Sequence, residues 1–557
     1  MSVALEGRSV GALPLLRHIA QQLEIADVID SMVPWDARRC RLSPGQRIEA
    51  LILNTLAGRT PLYRVAEFYE DTAIEQVFGP GVLAEALNDD ALARALDKLA
   101  AAGPRLVYSA VAARACLLEG IASDFLHYDT TSFSLFGDYP DDPPGELQLT
   151  RGYSKDNHPE LKQFILGILG NRQGIPIWSD ARDGNSEDTQ ANADVIDAFC
   201  AALSPEQLRR TVYVADSKLV TTDNLQRLHD LQLRFLSHLP DTFGVSAAAK
   251  EAALAGDWED LGTLAHNRRA HPAHYRASEQ SGVISGRTYR LVVIASDHLA
   301  ERKRATFEAH LVKKRAAAEK ALAAIGKRRF ESLEAAGEAA APLLALSDRG
   351  PFHLRLHIEE QTRRVAADGR RGRPRKDAPA LEVTEYVVIG RVEEPDPAFL
   401  DHERSLLGMF VLITDLDRNE YPAARLLQEY RDQGSVEQRF AFLKDPCFVD
   451  GIFLKTPARI EALAYVIVMA CLLYSVFERR VRLQLQAQGR RILLPGKRRS
   501  DNPTGKMLLA MLEHLIVCRL NDDWRWWLCS PPSAIRRAAE IATYAGLDLH
   551  AIYGAPP

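Results

Sequence analysis

The sequence predicts an α/β protein of several domains. Three observations carry that reading: a chain too long for one core, a helix-rich first stretch, and a change of period near Phe125 to short apolar runs that later alternate with helices. At 557 residues the chain is several times the about 100–200 residues of an ordinary domain, so three or four domains are expected. Hydrophobic residues make up 46% and charged residues 26%, the composition of a folded protein. A formal net charge of -5 gives no overall pull toward a polyanion, so a nucleic-acid partner must be met by local basic surfaces. The seven cysteines (40, 116, 200, 447, 471, 518 and 529) are scattered and never spaced Cys-x-x-Cys. That pattern argues against a disulfide framework or a zinc ribbon and fits a reducing cytoplasm.

Taken in order, residues 1 to about 120 read as helices. SPGQRIEALILNTLAG opens with Ser43 as N-cap and Pro44 at the first helical position, and NDDALARALDKLAAAG repeats the pattern with Asn88 or Asp89. The first residues, MSVALEGRSVGALPLLRHIA, lack the basic start, apolar run and cleavage site of a signal peptide, so a cytoplasmic location is expected. From Phe125 the runs FLHYDTTSFSLF, LKQFILGILG, IPIWSDA, TVYVADS and LRFLSHL read as strands. Helical stretches near 189–203 and 221–231 lie between the later ones. Three strands, then helix and strand in alternation, is the order of a ribonuclease-H-like domain.

After Pro240 a long segment has strands of its own (RTYRLVVIASD, TEYVVIGRVEE, GMFVLITD) and one long charged helix near 298–338. It is too long for a loop and reads as an α+β insertion. Helical signals return near 422. Ala462 to Phe477 is apolar but short for a membrane span and is flanked by Arg459, Glu461, Glu478 and Arg479, so a buried core helix is expected and no membrane partner. The expected division is 1–120 helical, 121–240 first part of the ribonuclease-H-like domain, 241–420 insertion, 421–483 its second part, and 484–557 helical.

Two aspartates stand where strands of such a sheet deliver functional groups: Asp129 in LHYDTTS and Asp216 at the end of TVYVA. Alone, each is more often a cap for the next turn. The segment YRDQGSVEQRFAFLKDP, 430 to 446, reads as one helix on which Tyr430, Gln433, Glu437 and Lys444 share a stripe, beside an apolar stripe of Val436, Phe440 and Leu443.

HYDTTS, GYSKDNHPELKQF, YVADSK, YRDQGSVEQRFAFLKDP and FLKTPARIEALAYVIVMACLLYSVFERRVR, in that order, resemble the signature blocks of DDE transposases from bacterial insertion sequences. The branch resembled is defined by a Tyr-x2-Arg-x3-Glu-x6-Lys helix, and the likeness runs from about 120 to 483. It implies Asp129, Asp216 and Glu437 as catalytic triad and metal ligands, and Tyr430 and Lys444 as DNA contacts. Gln433 stands where the signature has arginine. It can reach a phosphate oxygen but brings no charge, and Gly434 beside it costs a helix about 1 kcal/mol relative to Ala. Arg431 and Arg439 are the neighbouring cations that could take over the arginine's DNA contact, though neither lies on the same stripe.

The chemistry implied is two-metal-ion cleavage and strand transfer at element ends. Two Mg²⁺ or Mn²⁺ ions prefer carboxylate oxygens, which explains Asp and Glu in place of Cys and His. A DNA hairpin intermediate is a further implication. The partners expected are double-stranded DNA, both element ends and target, and a second copy of the chain in a homodimer, on the bacterial nucleoid. GRRGRPRK, with Arg371 and Arg373, resembles a basic strand for an A·T-rich minor groove. The arginine- and lysine-dense stretch 478–506 suits phosphate contact, as does Lys155 in GYSKD, and a helix-turn-helix-like pair is expected near 43–70. His266, His271 and His274 lack the spacing of a zinc finger, and NPTGKM lacks the hydroxyl residue of a phosphate loop, so neither zinc nor ATP is expected. Two rival readings remain: a DNA-binding descendant that no longer cleaves, and a metal nuclease without strand transfer.

Overall fold

In a computed structural model, residues 4–555 are described except 59, 136–138, 140–145, 154–157, 202, 264–270, 348–350, 367–379, 433, 435–438, 440–453, 455 and 521–524. The fold is mixed α/β. The chain forms two compact units, one of Met1–His238 with Thr414–Pro557 and one of Leu239–Ile413.

The larger unit begins with a strand, β1 (Leu5–Ser9), not with a helix as expected. It pairs with a strand from the far end of the chain, a long-range contact that local periodicity cannot register. The helices that follow form for the reasons read in the sequence. Ser43 accepts from the Gln46 amide while the Gln46 side chain returns to Ser43, closing a capping box ahead of Pro44–Leu53. Asn88 caps Asp89–Ala102 by accepting from the Ala91 amide. Near 43–70, where a helix-turn-helix-like pair is expected, two helices stand. Pro44–Leu53 is buried along nearly its whole length, and the second helix, Val65–Glu70, has six residues and carries Glu67 and Glu70.

Five strands make the sheet of this unit: β2 (Phe125–Leu135), β3 (Lys162–Asn171), β4 (Pro176–Asp183), β5 (Val212–Ala215) and β6 (Arg234–Leu239). Their order is β4-β3-β2-β5-β6. The β2–β3 and β3–β4 pairs are antiparallel, and β5 and β6 run parallel to β2 and to each other. Both faces are covered, which is why β2 and β3 are buried almost continuously instead of alternately. On one face Tyr128 stacks on Tyr213, whose hydroxyl donates to Asn192 of the Asp188–Cys200 helix. Gly167 on β3 is required there, since a Cβ would collide with the Tyr128 hydroxyl and Asp180. The other face meets the helix Pro457–Ala487, whose Tyr465 hydroxyl accepts from the Ala181 amide. That helix is long and apolar enough to cross a membrane, yet its apolar stretch is buried inside the protein.

The smaller unit holds β7 (Glu259–Thr263), β8 (His274–Ile284) and β9 (Arg287–Ser296), an antiparallel meander. Its β8–β9 turn is Ser285-Gly286 with both residues at positive φ, as a two-residue hairpin demands. The single long helix expected near 298–338 is two, Asp297–Gly326 and Leu333–Ser347. The chain breaks between them because Phe330 is bonded, amide and carbonyl, to Tyr386 on a neighbouring ribbon, a tertiary contact that overrides helix propensity. That ribbon is β10 (Leu354–Ala366) against β11 (Ala380–Val392). Arg371 and Arg373 fall between its arms, outside the described residues. Strand β12 (Met409–Thr414) closes the segment.

The C-terminal region, expected as helical, also carries β13 (Ile492–Leu494), β14 (Arg498–Ser500), β15 (Ile516–Leu520) and β16 (Trp527–Leu528). Strand β15 lies between β1 and β16. The antiparallel β15–β16 pair brings Cys518 to Cys529 in a disulfide, which corrects the expectation of unpaired cysteines. The spacing of 11 residues hid it, because only the strand pairing brings the two together.

Candidate active site

Two aspartates meet through strand register. Leu126 pairs with Tyr213 and His127 with Val214, so two residues further on Asp129 lies opposite Asp216. On β5 and β6, Ala215 pairs with Ser237, so the next residue sets Asp216 opposite His238. Neighbouring strands run about 4.8 Å apart and register partners share a face, which lines up Asp129, Asp216 and His238 where the parallel strands end. Asp129 is not at the end of its own strand. It sits at the level where β5 stops, and β2 continues beyond it against β3. Both aspartates are half-buried.

Local bonds orient the pair. The Asp129 carboxylate accepts from the Thr130 amide at 2.8 Å, and the Asp216 carboxylate accepts from the Lys218 amide at 3.0 Å, capping the short turn Ser217–Leu219. Ser237 donates its hydroxyl to the Asp216 carbonyl at 2.8 Å, tying β6 to the end of β5. His127, two residues before Asp129 on the same face, is fully buried, and neither ring nitrogen has a hydrogen-bond partner among the described residues. Burial, reinforced by the Arg172 guanidinium, pushes its pKa down to about 3, so the imidazole is neutral.

The helix Ala423–Arg431 crosses this face. Tyr421, just before it, packs edge-on against Phe125, with Arg425 over the same ring. Near the other end, the Tyr430 ring lies 6.5 Å from that of His238. Tyr430 therefore reaches the aspartate line from the adjoining helix. Glu429 precedes Tyr430 on this helix. It is buried, paired with Arg172 at 3.0 Å, and its pKa is raised by that burial against the pull of Arg172.

The helix bearing Tyr430 ends at Arg431 with Asp432 as C-cap, and most of the expected single helix over 430–446 lies outside the described residues. Asp432 is a poor helix former. Gln433, Glu437, Lys444 and Lys155 lie outside the described residues. Arg439 is described, and it is no substitute for the missing signature arginine. It is buried, donates to the carbonyls of Gly174 and Gln173, and is paired with Glu478 at 2.6 Å. Sequence reasoning missed His238. Its one signal was its place in LRFLSHL, one residue past the partner of Ala215, which needs the register to be read.

Oxygen donors on adjacent strands suit a hard divalent cation. Among the described residues no three of His, Cys, Asp and Glu cluster as a metal site.

Residues 150–473, more than half of the chain, match the model of the transposase DDE domain. Residues 5–113 match a domain of unknown function, DUF4277. No curated protein matches. Among solved structures, the chain is similar to one described as a cryo-EM structure of the piggyBac transposase synaptic complex with hairpin DNA. The identity is 11%, the coverage 90% of this chain and 79% of that one, and the TM-score 0.38, too low to carry an argument. The match over residues 150–473 places the chain in the transposase class. The chain belongs to the transposase DDE domain family and is a DNA transposase.

Proposed function

We propose that this transposase serves a bacterial insertion sequence of the Tyr-x2-Arg-x3-Glu-x6-Lys branch, cutting and joining its ends with Asp129, Asp216 and Glu437. The five-strand sheet is read as a ribonuclease-H-like catalytic domain, and the unit Leu239–Ile413 as the insertion between the second aspartate and the glutamate. The observation that carries the proposal is the register that sets Asp129 opposite Asp216 on adjoining parallel strands. With two Mg²⁺ or Mn²⁺ ions bound by these carboxylates, the site would activate the attacking hydroxyl and stabilise the leaving oxygen. The chain's own residues do the rest. Asp129 and Asp216 are held in orientation by the Thr130 and Lys218 amides, and Ser237 fixes the end of β5. The neutral His127 adds no charge beneath them.

The working form is a homodimer holding two ends of double-stranded DNA in the bacterial cytoplasm, and a hairpin is the intermediate to test for. The assay uses labelled duplexes carrying the inverted repeats that flank the gene. Wild type with Mg²⁺ should nick them and join their 3′-hydroxyl ends to a second duplex, with or without a hairpin on the gel. Asp129→Ala, Asp216→Ala and Glu437→Ala should each abolish nicking and leave end binding, which phosphate contacts dominate, largely intact. Nicking by Glu437→Ala at the wild-type rate would remove Glu437 from the site. Nicking without joining would leave a nuclease.

A further inference from the structure

We infer that the hairpin of β13 and β14 is a rigid docking point for the phosphate backbone of duplex DNA, separate from the aspartate site. The basic stretch 478–506 divides in two. In its first part the cations are spent inside the protein: Arg480 bonds Glu119, Arg479 lies 3.7 Å from the same carboxylate, and Arg482 pairs with Glu478 at 2.9 Å. In its second part Arg490, Arg491, Lys497, Arg498 and Arg499 are all exposed. No carboxylate among the described residues pairs with Lys497, Arg498 or Arg499. Arg491 has Asp501 at 3.9 Å.

These cations are mounted firmly. Ile492, Leu494 and Ser500 are buried, and the two apolar residues belong to the core of the larger unit. Leu493 and Arg499, register partners, face outward. The chain leaving the hairpin is pinned to the long core helix: Arg482 donates to the Pro503 carbonyl, Glu478 accepts from the Gly505 amide, and the Tyr474 hydroxyl accepts from the Lys506 amide. At the tip, Pro495-Gly496-Lys497 spans Leu494 and Arg498, and Lys497 adopts φ of 60°, a left-handed conformation that glycine or asparagine would take more cheaply. A strained, exposed lysine followed by two arginines, on a chain of net charge -5, fits a site kept for an anion. A DNA transposase supplies that anion as duplex phosphate. The hairpin is too short to read bases and suits positioning.

The inference rests on the chain being a DNA transposase and not on its metal chemistry. The test is therefore run on the full chain in EDTA, where cleavage cannot report. Binding is measured against salt concentration for an arbitrary duplex and for one carrying the element's inverted repeat. The variant is Lys497→Gln with Arg498→Gln and Arg499→Gln. Three lost phosphate contacts should lower the salt slope by about 2 to 3 units. Arg498→Lys with Arg499→Lys, which keeps the charge, should bind like wild type. Loss on both duplexes assigns the hairpin to backbone in general, and loss on one alone assigns it to end or to target. As a control of equal charge, Lys313→Gln with Lys314→Gln and Lys320→Gln alters exposed cations in the smaller unit. An unchanged slope in the hairpin variant, with unfolding like wild type, overturns the inference. So does an equal fall in the control, which would make the effect one of net charge.

Discussion

Replacing Glu478 by alanine should cost the larger unit about 3–5 kcal/mol, the range for removing one partner of a buried ion pair. The carboxylate is 2% exposed and accepts three bonds: from Arg439 at 2.6 Å, from Arg482 at 2.9 Å, and from the Gly505 amide at 2.7 Å. Without it Arg439, itself buried, keeps its charge with only the Gln173 and Gly174 carbonyls to meet it. The Gly505 amide loses its acceptor as well, a burial cost of about 1–3 kcal/mol that overlaps the first. Arg439→Met should be milder by about 1–2 kcal/mol, because Glu478 then still holds Arg482 and Gly505 while methionine fills the space beside Tyr474. Urea unfolding followed by tryptophan fluorescence orders the variants by midpoint, provided the slope is unchanged. Arg439 stands two residues after Glu437, so loosening this anchor should also reduce nicking more than DNA binding. A Glu478→Ala protein less than about 1 kcal/mol weaker than wild type, or no weaker than Arg439→Met, would refute the idea that this carboxylate organises the segment.

His238→Ala should lower nicking by about 10- to 100-fold and raise the Mg²⁺ needed, as loss of a group supporting a metal ligand does. A Mg²⁺ titration of the nicking rate decides, and an unaltered curve removes His238 from the site. Glu49 is buried with Arg17 at 3.2 Å, and burial raises its pKa to about 7 from a usual 4.5. The folded state then binds the extra proton between those values, so this group's contribution to stability falls as pH rises from about 4.5 to 7. Glu49→Gln should flatten that part of the stability–pH profile, and a profile as steep as wild type would count against the assignment. Asp216→Asn in EDTA should bind an end duplex several-fold more tightly than wild type, by about 0.6–2 kcal/mol for one charge removed about 7 Å from a phosphate. Mg²⁺ should shrink the gap, and equal binding in EDTA would mean that no phosphate approaches Asp216.

What could be read from the sequence was what local chemistry decides. Ser43, Pro44 and Asn88 announce their helices because a cap and a first-turn proline act within a few residues. The apolar runs at 125, 162, 176, 212 and 234 announce strands, and Asp216 at the end of TVYVA announces a strand-end carboxylate. What escaped was set by partners far along the chain. β1 exists because β15 pairs with it, the long helix of the smaller unit stops because Phe330 bonds Tyr386, and Cys518 meets Cys529 only across a strand pair. Arg439 illustrates the same limit. Its type and position suggested a DNA contact, and only the buried Glu478, 39 residues on, shows that the charge is already used. His238 is invisible until β6 is registered against β5.

The register that joins the aspartates also sets an electrostatic problem. Two carboxylates about 5 Å apart repel by roughly 3 kcal/mol at an effective dielectric near 20 and by under about 1 kcal/mol in water. Placing them on adjoining strands therefore works against folding unless positive charge is brought near. The buried histidine on the same face does not provide it, since burial holds His127 neutral down to about pH 3. The amides of Thr130 and Lys218 meet one oxygen of each carboxylate and lessen the cost without cancelling the charge. A pair of half-exposed carboxylates, oriented by backbone donors, presents the negative charge that the metal cation of the proposed function would meet. Phosphate is excluded from the same place until that cation arrives. On this argument DNA must be held first by cations elsewhere on the surface. A chain with net charge -5 can grip its substrate only if those cations are gathered, as they are at the β13–β14 hairpin, instead of spread.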